Sequence, residues 1–198
     1  MNQHDPLALQ HNGTADVVAL KANVVAALAG LLGQGPDVVR CAAARALGVM
    51  GSEAAVESLV AALLDEDEDV RTDAAGALAR LGAAAADKQL LENLLGDPCA
   101  DVKAAAIRAL AGSRNSDVVP WLRRLAAGRD EEITWDEEAF FDQDWDDWVD
   151  LQVAAIEALA EMGGTEAVPD IVAALDDEYA QDITETAFKA LARLGDEG

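Results

Sequence analysis

The chain has 198 residues, 52% of them hydrophobic but only eight aromatic, and 38 acids against 14 bases give it a net charge of −24. A surface that negative repels phosphate backbones and excludes nucleic acid as a partner class. Cys41 and Cys99 stand 58 residues apart without metal-ligand spacing and read as free thiols of a cytoplasmic protein.

The N-terminus, MNQHDPLALQHNG, has neither a basic start nor a long apolar core, so it is not a signal peptide. Residues 1–13 read as a flexible tail. No apolar stretch approaches ~18 uninterrupted residues, so no transmembrane helix is expected. A helix led in by Thr14 and ending at Gln34 carries VVAALAGLLGQ (24–34) and should act as an N-terminal cap.

From there the chain repeats itself. VRCAAARALGVMG (39–51), VRTDAAGALARLG (70–82), VKAAAIRALAGSR (102–114), LQVAAIEALAEMG (151–163) and ITETAFKALARLG (183–195) align. Their shared leucines, Leu47, Leu78, Leu110, Leu159 and Leu191, are spaced 31, 32, 49 and 32 residues apart. Four residues before each stands Ala43, Ala74, Ala106, Ala155 or Ala187, and one before it Ala46, Ala77, Ala109, Ala158 or Ala190. Two fixed small-residue positions predict a helix whose neighbours approach closely on one face. Asp69, Asp101, Asp150 and Asp182 fall before its first apolar residue, at the positive end of the helix dipole. Gly51, Gly82, Gly163 and Gly195 should close it in the left-handed conformation.

A second helix follows each first one: AVESLVAALLD (55–65), DKQLLENLLGD (87–97), VVPWLRRLAAG (118–128) and AVPDIVAALDD (167–177). Pro120 and Pro169 sit near its start, where a missing N–H costs nothing.

These units resemble the HEAT-like repeat of the phycobilisome-lyase type, with its DVRxxAAxALxxLG first helix and AVPxLxxAL second helix. The resemblance implies an all-α fold, a right-handed α-solenoid of about five helix-pair repeats. The expected division is a capping helix (14–34), repeats at 35–65, 66–97, 98–128 and 147–177, an insertion at 129–146, and a C-terminal half repeat at 178–198. Such solenoids serve as scaffolds, enzyme subunits and adaptors alike. Relatives include bilin lyase subunits, so a tetrapyrrole ligand is a second implication. HEAT-repeat deoxyhypusine hydroxylases bind iron through His-Glu pairs on their helices. His4 and His11, the only histidines, lie in the N-terminal tail, so that likeness stops at the fold.

The 49-residue spacing marks the insertion, and WDEEAFFDQDWDDWVD (135–150) is its character: five of the eight aromatic residues and eight carboxylates. The segment 129–150 alone is net −10. Asp outnumbers Glu 23 to 15 and Arg outnumbers Lys 10 to 4, a bias that fits salt adaptation, so environment and partner steering both explain the acidity. Thr134 and Glu137 form a capping-box pattern that predicts a short helix at 135–141. Three readings stay open. The rings tuck against the flanking repeats; they are recognition anchors with carboxylates steering a basic partner; or Asp142, Asp144 and Asp146 begin a calcium loop. The last lacks its glycine and its bidentate glutamate, which Asp147 and Val153 replace.

Trp121 aligns with Ser58, Gln89 and Asp170, which predicts an outward ring, with Arg124 one turn on. Arg114, Arg123, Arg124 and Arg129 make the one basic cluster, and the acidic run follows it directly. The run either folds over these arginines or leaves them open to a partner. No nucleophile–base pair or phosphate-cradling loop is present. Cys41 reads as a core filler, and carboxylates near Cys99 should raise its pKa. The expectation is a non-enzymatic adaptor without cofactor or metal, binding a basic protein and no membrane. Its contacts would come from Trp121, Arg124, Trp135, Phe140, Phe141, Trp145 and Trp148.

Overall fold

In the computed structural model the backbone is described for residues 6–128, 133, 144–176 and 180–196, and side chains for 16–128, 133, 147–176 and 180–196. Ten α-helices and no strand occur among them: α1 (Pro6–Gln34), α2 (Asp37–Met50), α3 (Val56–Ala62), α4 (Glu68–Leu81), α5 (Asp87–Gly96), α6 (Ala100–Ser113), α7 (Val119–Ala127), α8 (Asp144–Met162), α9 (Val168–Ala174) and α10 (Thr184–Asp196). A single 3-10 turn introduces α3, α5, α7 and α9, and Pro120 and Pro169 occupy the first turns of α7 and α9.

The first helices α2, α4, α6, α8 and α10 pack in a row. Each second helix then lies against the first helix of the following pair: α3 on α4, α5 on α6, α7 on α8 and α9 on α10. α1 makes the same contact with α2, and so takes the second-helix position one period early, as expected of a cap. This is an all-α solenoid of stacked helix pairs.

Small residues set the spacing of the row. Ala74, Ala106, Ala155 and Ala187 are completely buried, with Leu47, Leu110 and Leu159 beside them. One close approach is at Gly48 of α2, where a Cβ would stand 2.8 Å from Cα of Ala77 on α4. First helices close on left-handed residues Gly51 (φ 59°), Gly82 (φ 58°) and Gly163 (φ 74°). In the third repeat a non-glycine, Arg114, holds φ 57° at the same position.

A polar ladder runs along the loops that join one pair to the next. Arg40 bonds Asp65 at 2.7 Å, and Arg71 grips both oxygens of Asp97 at 2.8 and 2.9 Å while donating to the carbonyls of Asp65 and Glu66. Asn93 reaches back to the Leu63 carbonyl and across to Asp97. From arginine to aspartate is 25 residues in the first repeat and 26 in the second; the same step from Lys103 lands on Gly128 or Arg129. Lys103 is therefore completely buried with no ion pair among the described residues, and donates to the Leu94 carbonyl at 3.0 Å. Gln152 and Thr184 hold the position in later repeats by donating to the Ala126 and Ala180 carbonyls.

Several expectations need correction. α1 starts at Pro6, so much of the expected tail is helical, Thr14 is internal and His11 lies on a helix. Leu7, Ala8, Leu9 and Gln10 are good helix formers, and proline is tolerated in the first turn. Asp16–Gln34 is long and apolar enough to cross a membrane by length and composition, despite Asp16 and Lys21, so the lack of an uninterrupted apolar run does not exclude a span. α8 begins at Asp144, which puts Asp150 in its second turn instead of at its positive end. α10 continues through Gly195 to Asp196, so that glycine does not end it.

Candidate functional site

The extension of α8 decides where the acidic run's last residues go. On a helix, Asp147, Asp150, Ala154 and Glu157 recur at three- and four-residue steps and share one face. That face lines a groove of about 240 Å³ against α6, whose Ala100, Asp101, Ala104 and Arg108 form the opposite wall. Asp101 and Asp150 hold the same repeat position on adjacent helices, as do Arg108 and Glu157. Four carboxylates thus face one guanidinium, with an apolar floor that includes the buried Ala104 and Ala154. Such a wall attracts cations and disfavours anions.

One described residue inside the insertion and one just after it are anchored. Ile133 is buried in the core, and so is Trp148, which is only 8% exposed. Trp148 is therefore not a surface contact: extending α8 back by a turn turns its ring inward, in line with the reading that rings tuck against the repeats. Trp135, Phe140 and Phe141, with Thr134, Glu137 and Asp142, lie outside the described residues, as does the side chain of Trp145. A calcium loop starting at Asp142 would need Asp144–Asp150 as loop, and these residues are helical.

The second-helix face carries the basic cluster. Trp121 is half-buried against the core instead of standing free, and the Arg124 guanidinium lies 5.0 Å from its ring centroid, within cation–π range. Arg123 bonds Asp170 of α9 at 2.6 Å, so its partner comes from the next repeat. A shallow depression of about 380 Å³ lined by Pro120, Arg123, Arg124, Ala127 and Asp170 marks this face. The structure thus joins Trp121 to Arg124 and adds a first-helix groove that sequence reasoning missed. The missed signal was the shared spacing of Asp147, Asp150 and Glu157, which matters only once the helix is extended.

Neither thiol is activated. Burial pushes the Cys41 thiol up, with Asp73 and other carboxylates adding to it, and burial likewise raises Cys99, with Glu68 and Asp101 contributing. Among the described residues no group of three or more His, Cys, Asp and Glu side chains could hold a metal ion.

Stacked helix pairs, alanine-lined first helices and second helices that start on proline in α7 and α9 define a helical-repeat protein. HEAT repeats match residues 24–98 and 87–135, and the chain belongs to the HEAT-repeat family. Residues 151–177 match the PBS lyase HEAT-like repeat. No curated protein matches the chain significantly. Among solved structures it is similar to a chain in the complex of CpcE and CpcF of phycocyanin lyase from Nostoc sp. PCC7120, at 24% identity and a TM-score of 0.65, covering 85% of this chain and 64% of that one. It therefore spans under two thirds of that relative, and the likeness is one of fold. Two engineered proteins match at 23% identity, with TM-scores of 0.48 and 0.45; they cover 86% and 88% of this chain, and 47% and 97% of their own.

Proposed function

We propose that the chain is a non-enzymatic scaffold that binds a basic segment of another protein through the acid-lined groove between α6 and α8 and the insertion that precedes α8 in sequence. The observation that carries this reading is the helical extension of α8, which aligns Asp147 and Asp150 with Glu157, opposite Asp101. A lysine- or arginine-bearing segment meets an excess of carboxylates there, over apolar area that its side-chain stems can cover. Trp121, Arg124, Trp135, Phe140, Phe141 and Trp145 are the proposed contacts of the adjoining edge.

The test is calorimetry with a lysine- and arginine-rich peptide at two salt concentrations. The triple variant Asp147→Asn/Asp150→Asn/Glu157→Gln should weaken binding about tenfold, from roughly half a kcal/mol per charge. A control neutralising Glu53, Glu57 and Glu166, all exposed and remote from the groove, should change it little. Equal loss in both would make the attraction diffuse and sink the groove reading. A second reading, tetrapyrrole handling, rests on the match at 151–177 and on the phycocyanin lyase named above. A shift of a bilin's visible band on mixing would favour it over the scaffold.

A further inference from the structure

The second stretch of unexplained chemistry is α1. At 29 residues it is twice as long as α2, and every residue from 16 to 24 is exposed. Among its described side chains, it meets the body through the buried Val25 and Leu32 with Leu28 packed beside them. A separate stripe, Val17, Leu20, Val24, Ala27 and Leu31, steps by three and four residues. Its mean direction is about 90° from that of the stripe that faces the body, at about 100° per helical residue. Its large members stay in water: Val17 is 66% exposed, Leu20 64%, Val24 41% and Leu31 48%. A three-four alternation of exposed apolar residues is the seam of a two-helix coil, with valine at the first two a positions and leucine at the first d position.

Two further observations identify what covers it. Outside α1 the chain carries the full −24, because α1 holds one acid and one base, Asp16 and Lys21. α1 itself is neutral, so pairing along it opposes no net charge on the helix. In the heptad frame set by Val17 at a, Asp16 is a g residue and Lys21 is the e residue five positions later. In a parallel, in-register pair each g carboxylate faces the e ammonium of the other helix. In an antiparallel pair g faces g and e faces e, so Asp16 and Lys21 would not meet across the seam. We infer that two copies of this chain pair in parallel through α1, with Val17, Leu20, Val24, Ala27 and Leu31 as the seam and reciprocal Asp16–Lys21 ion pairs setting the register. The contact is isologous, so it closes at two copies.

The experiment is the solution mass of the full chain by sedimentation equilibrium. At concentrations on the order of 100 μM, which saturate a seam of micromolar strength, it should be twice the monomer mass. Leu20→Glu lies on the part of α1 clear of the body, so it should give a monomer with an unchanged melting temperature. Asp16→Lys should weaken pairing on the order of tenfold, and Asp16→Lys/Lys21→Asp should restore it. Val24→Cys should oxidise to a symmetric covalent dimer where the parent does not. A monomeric parent overturns the inference. So does a dimer indifferent to Leu20→Glu, or a charge swap that fails to restore pairing. Flotation of a monomer with neutral phosphatidylcholine vesicles would assign α1 to a lipid surface and overturn it as well.

Discussion

Replacing Lys103 by methionine tests the ladder at the rung where its carboxylate is missing. The ammonium is wholly buried, and burial lowers its pKa from 10.5 to about 8, only partly opposed by Asp97 and Cys99. A folded pKa depressed that far, by roughly 2.5, corresponds to about 3 kcal/mol between the charged and neutral forms. At pH 7 the native lysine is protonated and that cost is carried in full. Between about pH 8 and 10.5 the unfolded chain binds more protons than the native one, so stability rises with pH. A methionine has similar length and no charge, but it leaves the Leu94 carbonyl without the 3.0 Å donor, which costs about 1–2 kcal/mol. Lys103→Met should therefore be more stable than the parent by about 1–2 kcal/mol at pH 7 and less stable by about the same amount above pH 10.5. The two curves of urea-derived stability against pH should cross. Working in a Cys99→Ala background keeps the neighbouring thiol from contributing. A difference that stays constant from pH 7 to pH 11 would refute the assignment of a desolvated, charged lysine.

The other expectations concern the ladder, a cap and two glycines. Asp97→Asn strands Arg71 in a nearly closed site, 12% and 4% exposed for the two side chains, and should cost about 3 kcal/mol by chemical denaturation. Burial alone would raise the Asp97 carboxyl, but bonds from Arg71, the Cys99 N–H and Asn93 outweigh it and hold it low. The stability it supplies is present above its unfolded value of 3.8 and lost as pH falls through the lower folded value. Arg114→Gly relieves a left-handed arginine at a helix end and should stabilise by about 1 kcal/mol, read as a rise in melting temperature. Gly48→Ala forces α2 and α4 apart and should cost about 1–2 kcal/mol. Gly76→Ala meets nothing within 4 Å and should gain up to about 1 kcal/mol; the same sign for both glycine variants would show that helix propensity and not packing decides.

The repeat was legible because close helix packing leaves a regular trace: alanine at two fixed positions and leucine at a third force the same geometry in each unit. Second-helix starts were legible through proline for the same local reason. Helix ends were less so. Gly195 looked like Gly51, Gly82 and Gly163, yet α10 runs past it, because a glycine permits the left-handed turn without requiring it. The start of α8 was missed because Asp144, Asp146, Asp147 and Asp150 read locally as loop. Burial of Trp148 and Leu151 ties that turn to the core and overrides the propensity. The groove depends on that non-local fact and could not be seen before it.

The position of the insertion follows from the ladder. In the first two repeats an aspartate at the end of the second helix takes the first-helix arginine and fixes the loop into the next pair. The third repeat keeps the cation as Lys103 but has Gly128 and Arg129 where the aspartate belongs, and the extra chain begins there. With no aspartate at 128 or 129, that junction lacks the arginine–aspartate pairing of the earlier ones, and a long insertion can enter there without breaking such a pair. A neutral group ties the same junction from the fourth repeat: Gln152 bonds the Ala126 carbonyl, while Ile133 inside the insertion and Trp148 after it fill the core. Converting Gly128 to Asp would set the ladder against the insertion, at the cost of holding an aspartate at φ 141°. If the junction is governed by this pairing, Gly128→Asp should raise the pKa of Lys103 and flatten the rise in stability between about pH 8 and 10.5. If the profile keeps its slope, Lys103 and the loop at 128 are not in reach of each other, and the insertion's placement has another cause.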